Sequence, residues 1–188
     1  LKWIMETVRG IRDGIIFRMC SRIPVVLPSR ITQPLATLLG SFRPLWFVTH
    51  ANHPTEITSQ FRAAVDRLLG AGIVTMNQTV LLRGINDDEE VLERLFRELL
   101  RAGVKPYYLF QGDLASGTSH FRVPITRGLE LMESLRGRVS GMALPTYAVD
   151  LPEGGGKIPV ATNLLRKEED AYVFRGMDGR EYRYPQER

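Results

Sequence analysis

Five apolar, β-prone runs alternate with stretches of helical periodicity, and this alternation limits the possible folds more than any other feature of the chain. The runs are Ile15–Cys20, Pro44–Thr49, Ile73–Val80, Lys105–Phe110 and Ala143–Val149. Between them apolar residues recur every three or four positions. Ile57, Phe61, Val65, Leu68 and Leu69 do so in residues 55–70, followed by Val91, Leu95 and Leu99, then Leu129, Met132 and Leu135. Such spacing lines one face of a helix. Residues 1–11 predict a further helix through Trp3, Ile4, Val8 and Ile11, broken at Asp13-Gly14. Ser29 or Thr32 is placed to cap a short helix through Leu35, Leu38 and Leu39, and Asp87 with Glu90 resembles a capping pair. Pro24 and Pro28 predict a loop between the first strand and that short helix.

Strands separated by helices pair in parallel. A doubly wound sheet and a β/α barrel both give this rhythm. The first turn lacks a phosphate-type glycine fingerprint, which favours the barrel. Five strands do not close an eight-stranded barrel, so the expected fold is α/β, a partial, open β/α barrel whose N-terminal strands are missing. After residue 157 the rhythm changes. Ala171–Phe174, the turn Gly176-Met177-Asp178-Gly179 and Glu181–Tyr184 predict a small C-terminal β-hairpin tail. The chain thus divides into barrel residues 1–157 and an extension, 158–188.

Composition excludes several functions. Hydrophobic residues make up 44% and charged residues 24%, a globular balance, and the net charge of +4 is scattered. No basic block is interleaved with aromatics, so nucleic acid is not an expected partner. No apolar run is long enough to span a bilayer and no leader pattern opens the chain, so a cytoplasmic protein is expected. Cys20 is the one cysteine. It makes no internal disulfide or multi-cysteine metal site, and suits a reducing compartment. The opening at Leu1, directly into a helical pattern, reads as the later part of a longer protein.

Chemistry in parallel α/β folds collects at the C-terminal ends of the strands. Those ends carry Ser21 and Arg22, His50, Asn77 and Gln78, Gln111 and Asp113, and Asp150. After Asp150 comes the loop Leu151-Pro152-Glu153-Gly154-Gly155-Gly156-Lys157. Glycines allow close backbone approach to a ligand, and a partly desolvated lysine amine can form a Schiff base with an aldehyde such as pyridoxal phosphate. The plain alternative is a flexible surface loop with a solvated lysine. His50 could be a satisfied core or capping histidine, Gln78 could close a loop, Asp113 could cap a turn with Ser116, and Asp150 could cap the loop before Pro152. Asp113 and Asp150 together could bind an ammonium group, hold a metal, or act as a glycosidase pair.

The segments Thr49-His50-Ala51-Asn52-His53-Pro54-Thr55-Glu56-Ile57-Thr58, Asn77-Gln78-Thr79-Val80-Leu81-Leu82-Arg83-Gly84-Ile85-Asn86-Asp87, Pro106-Tyr107-Tyr108-Leu109-Phe110-Gln111-Gly112-Asp113, His120-Phe121-Arg122 and the Asp150–Lys157 loop resemble the lysine 2,3-aminomutase family. These are radical S-adenosylmethionine enzymes that also use pyridoxal phosphate. The resemblance covers nearly the whole chain, and only the later part of the family's barrel with its C-terminal segment.

It implies a radical S-adenosylmethionine barrel and an isomerase that moves the α-amino group of lysine, or a similar basic amino acid, to the β-carbon. Lys157 matches the lysine that attaches pyridoxal phosphate. Asp113 and Asp150 match the acids that hold the substrate's side-chain ammonium. Gln78 matches a residue at the S-adenosylmethionine pocket, with His50 near the adenosyl group. In the family a reduced [4Fe-4S] cluster cleaves S-adenosylmethionine, and the 5′-deoxyadenosyl radical takes a hydrogen from the substrate's β-carbon. The C-x3-C-x2-C cluster motif is absent here, so its ligands, and the arginines that grip phosphate and carboxylate, are expected upstream. Asp88 stands where some members have a zinc cysteine, and no zinc is expected. A homo-oligomer is open. The competing reading is a truncated, non-catalytic paralogue that binds pyridoxal phosphate or an amino acid.

Overall fold

Alternation along each strand decides which side chains meet the helices. In a computed structural model of the chain, residues 1–12, 14–161, 164–169, 171–176 and 178–185 are described. Strands β1 (Phe17–Cys20), β2 (Leu45–Thr49), β3 (Val74–Val80), β4 (Lys105–Phe110) and β5 (Thr146–Leu151) pair in parallel in chain order. Odd-numbered strand residues such as Leu45, Phe47, Leu109 and Tyr147 enter the buried core. They pack against helices α1 (Lys2–Ile11), α3 (Gln33–Gly40), α4 (Ser59–Gly70), α5 (Glu89–Arg101) and α6 (Ile125–Arg136). Except at the start of β4, where Pro106 is in register with Asn77, even-numbered residues take the opposite face by the period of two. There Trp46 stays 36% and Val74 44% exposed. The sheet curls toward this second face as part of a barrel.

Local chemistry explains the element ends. Thr32 caps α3, Thr58 caps α4 and Asp88 caps α5, each accepting from backbone N–H groups of the first turn. The expected cap at Asp87 is therefore off by one; Asp87 accepts from Gly84 N at 2.7 Å and closes the preceding turn instead. The stretch read as a loop at Pro24 and Pro28 contains a single helical turn, α2 (Ile23–Val26), and a 3-10 turn at Pro28–Arg30. Proline near the start of a turn lacks only an N–H that had no partner anyway. The fifth strand begins at Thr146, later than Ala143, because Ala143 N and Leu144 N are spent on turns with Ser140 and Gly141. At Asn77/Gln78 the β3–β4 register shifts opposite Pro106, which has no N–H for the ladder.

Two strands exceed the expectation. The glycine loop leads into β6 (Gly156–Pro159), antiparallel to β5, so the sheet has six strands. The tail is a three-stranded antiparallel sheet of β7 (Leu164–Lys167), β8 (Ala171–Arg175) and β9 (Glu181–Pro185), so the predicted hairpin gains a strand. Met177 of its predicted turn, like Asp13 of the first break, lies outside the described residues. Among the described residues no helix is long and apolar enough to cross a membrane.

Phe96 of α5 is fully buried between the sheet and its neighbouring helices. Phe96→Ala removes most of a side chain that little can replace. Unfolding in urea is expected to show a loss of about 3–5 kcal/mol.

Candidate active site

The β5–β6 hairpin places the two ends of the glycine loop against each other. Gly154 and Gly156 have φ near +82° and +81°, and Glu153 between strand and glycines has φ 57°. Glycine takes such angles without steric cost. The chain therefore reverses within a 3-10 turn, Pro152–Gly154, and runs back along β5 with Lys157 opposite Asp150. Lys157 Nζ lies 3.5 Å from Asp150 Oδ2, with 36% and 47% of the two side chains exposed. The same nitrogen stands 3.9 Å from the centroid of the Phe110 ring and 5.2 Å from that of Tyr108. The two rings stack, 5.1 Å apart at 25°. A half-exposed ion pair contributes about 0–1 kcal/mol and an exposed cation–π contact about 0.5–1 kcal/mol. The amine is thus guided by weak contacts and remains open to solvent and ligand.

Tyr108 and Phe110 were not singled out in the sequence. Their signal was parity: they share the even-numbered face of β4, beside Gln78 and Val80 of β3 in register. Gln78 is largely buried on that face. His50 follows β2 and is half-buried. Burial, and secondarily the charge of Arg22, hold its pKa below the usual 6.5. Asp113 is exposed just past β4. It lines a pocket of about 210 Å³ with Val80, Leu82, Phe121 and Arg122.

Two of the strand-end groups, Asn77 and Gln111, do not join a common mouth, and the expectation that all of them converge is corrected for these two. Ser21 Oγ accepts from Ile23 N at 3.1 Å. Arg22 pairs with Glu56, whose other oxygen accepts from Asn52 N and His53 N. Asn77 points to the helix side and is consumed by the backbone. It accepts from Ala51 N at 2.7 Å and donates to Ala51 O at 3.0 Å and Thr79 Oγ1 at 2.8 Å. Gln111 Nε2 donates to Val123 O at 2.6 Å and Gln111 Oε1 accepts from Tyr147 Oη at 2.5 Å. These amides are structural ties. Among the described residues the Asp113 carboxylate and the Gln78 amide have no such partner, so the suggested Asp113–Ser116 cap does not form. The turn there is closed by Thr118 Oγ1 donating to Ala115 O at 2.8 Å.

Comparison with known proteins adds a second line. Residues 132–188 match a family model described as lysine-2,3-aminomutase. The chain is 46% identical over 180 residues to an L-lysine 2,3-aminomutase of Methanococcus maripaludis, covering 95% of this chain and 42% of that protein. It is 47% identical over 186 residues to a putative L-lysine 2,3-aminomutase of Aquifex aeolicus, covering 98% of this chain and 50% of that one. It is also 42% identical over 181 residues to a glutamate 2,3-aminomutase of Clostridioides difficile, covering 96% and 43%. The chain therefore spans about half the length of the curated relatives it matches. A radical SAM methyltransferase of Sphaerobacter thermophilus superposes on 63% of this chain and 38% of its own, with a TM-score of 0.47 and 19% identity, too slight a likeness to carry an argument.

The surroundings of His50 make a titration prediction. Its folded pKa is lowered, so the unfolded chain takes up the proton first as pH falls. Stability is therefore lost as pH drops from about 6.5 through the lower folded value. Proton NMR of the His50 ring is expected to show a midpoint below 6.5 that rises in Arg22→Gln. A native midpoint at or above 6.5 contradicts this account of its environment.

Proposed function

This chain corresponds to the C-terminal portion of the lysine 2,3-aminomutase family, and we propose that it supplies the cofactor lysine and the substrate acids of a radical aminomutase. The reaction is transfer of the α-amino group of lysine, or a similar basic amino acid, to the β-carbon. The observation that carries the reading is the β5–β6 hairpin, which sets Lys157 beside Asp150 and over the Phe110 ring. The curled sheet is then part of a β/α barrel of the radical S-adenosylmethionine type, completed by further strands.

The residues around Lys157 fit pyridoxal phosphate. Its amine is accessible, and the stacked Tyr108 and Phe110 rings offer a flat apolar surface to a planar heterocycle. When bound there, the group supplies a conjugated ring that stabilises an unpaired electron beside the migrating nitrogen. The protein's own contribution is positional. Lys157 gives up its proton to bind the cofactor, and it then no longer neutralises Asp150. Asp150 is left to pair with the ammonium of a basic side chain, with Asp113, from the loop after the neighbouring strand, as the second counter-ion. Two carboxylates repel an acidic side chain, which favours a basic substrate over glutamate. The two rings keep water from that side of the amine. Gln78 and His50, on the ends of β3 and β2, are assigned to the S-adenosylmethionine side. A neutral His50 can both accept and donate a hydrogen bond there.

The [4Fe-4S] cluster does not fit the residues present. The 188 residues hold one cysteine, Cys20, and the family's cluster takes three thiolates. Its ligands are assigned to chain beyond this sequence, and no step is derived through it. The second reading is a non-catalytic binder of pyridoxal phosphate or amino acid. A monodisperse 188-residue protein that takes up pyridoxal phosphate by itself supports that alternative.

Two substitutions in the full-length protein test the assignments. Lys157→Ala is expected to abolish covalent uptake of pyridoxal phosphate, seen as loss of the lysine-bound cofactor's absorbance; normal absorbance sinks the assignment. Asp113→Ala and Asp150→Ala are each expected to weaken lysine binding by about tenfold or more while cofactor uptake survives. Equilibrium titration with lysine checks this, and unchanged affinity removes the acids from the site.

A further inference from the structure

The segment from Gly112 to Arg122 carries Asp113, and side chains close both of its ends. Gln111, the last residue before it, continues the β4–β5 ladder through its backbone N–H, which donates to Ala148 O at 2.8 Å. Its side chain turns away from the mouth. Nε2 donates to Val123 O at 2.6 Å, which joins the two ends of the loop directly. Oε1 is occupied by the Tyr147 hydroxyl at 2.5 Å. Burial pushes the Tyr147 pKa up to about 12, so the phenol stays a donor across the working pH range. Tyr147 can reach this place because α6 presents Gly128 to it: a Cβ there would stand 2.2 Å from the hydroxyl oxygen.

Further bonds stiffen the loop from within. Ala115 O accepts from Arg122 Nη2 at 3.2 Å and from Thr118 Oγ1 at 2.8 Å. Phe121 O accepts from Arg83 N at 2.9 Å, which fastens the loop to the turn after β3. The Asp113 carboxylate is the group that this bracing leaves unpaired and exposed on the pocket. Ordered closed loops of this length commonly carry function, and order set before binding spares the ligand the entropy of fixing the loop.

We propose that Gln111 is a positioning residue for ammonium recognition: by tying the chain just past β4 to Val123 and Tyr147, it fixes the loop that carries Asp113 beyond the end of the strand that neighbours β5. The proposal rests on the reading of Asp113 as a substrate acid. Gln111 touches neither substrate nor cofactor and acts through the loop. A merely structural brace would lower stability, or affinity for every amino acid alike. A positioning residue lowers affinity only for ligands that use Asp113.

The test uses the full-length protein loaded with pyridoxal phosphate and two ligands of equal chain length, lysine and norleucine, the second lacking the ammonium. In Gln111→Met the lysine-bound cofactor absorbance is expected to stay normal. Lysine affinity is expected to fall about tenfold, with norleucine affinity unchanged. Amide hydrogen exchange over residues 112–122 is expected to quicken. Equal losses for lysine and norleucine, or unchanged lysine affinity, overturn the proposal. Asp113→Asn is measured beside it. If Asp113→Asn weakens lysine and Gln111→Met does not, the positioning role alone fails. If Asp113→Asn has no effect, the substrate-acid reading fails and takes the proposal with it. Should Gln111→Met not fold, Tyr147→Phe, which removes one of the two side-chain bonds, is read against the same outcomes.

Discussion

Everything in this structure depends on the two-residue period of its parallel strands. One set of side chains is committed to helices and the other to a concave face. Leu45, Phe47, Leu109 and Tyr147 carry the apolar load on one side, against α3 to α6. The residues between them are released from that duty. This allows Gln78, Tyr108, Phe110 and Asp150 to be polar or aromatic in strands that are otherwise apolar. A parallel sheet is ordinarily covered on both faces. Here the second face retains exposed Trp46 and Val74, as the interior side of a partly closed barrel does.

The same division orders the polar groups. An amide shut off from solvent must find a partner, because an unpaired one costs about 1–3 kcal/mol; Gln78, 9% exposed, has no fully buried unpaired atom. Asn77 and Gln111 sit on the helix side and are fully engaged, with Ala51 and Thr79 and with Val123 and Tyr147. Asn86 joins them, donating to Asn52 O and Val80 O and accepting from Leu82 N, so that the turns after β2 and β3 are knitted together. Asp113, Asp150 and Lys157 sit outside this economy. They remain hydrated at weak cost, and hydration keeps them available. The structural amides fix the strand ends; the charged groups ride on those ends.

Much of this was legible in the chain. β4 falls on Lys105–Phe110 as read, and β1 to β3 shift by only one or two residues, because apolar runs bounded by glycine and proline have few alternatives. Asp150 and Lys157 could be named as partners of one loop. That they face each other across a hairpin could not, since the glycine run reads equally as a loose loop. The third strand of the tail was hidden for a related reason: Leu164–Lys167 is short and charged, and only β8 beside it makes it a strand. Gln111 and Asn77 looked like mouth residues because proximity to a strand end says nothing about which face a side chain takes when the register is unknown.

What the sequence determined by itself was periodic and local: helices, strands, caps, the glycine turn and the residue types able to do amine and carboxylate chemistry. These follow from torsional preference and from spacing, which a single chain displays directly. Tertiary structure decided which polar groups are spent and which are free, and it brought Lys157 over the Phe110 ring. Those outcomes depend on strand register and on which neighbour supplies a carbonyl. Both are set by contacts between residues tens of positions apart, where pairing energy and not local pattern makes the choice.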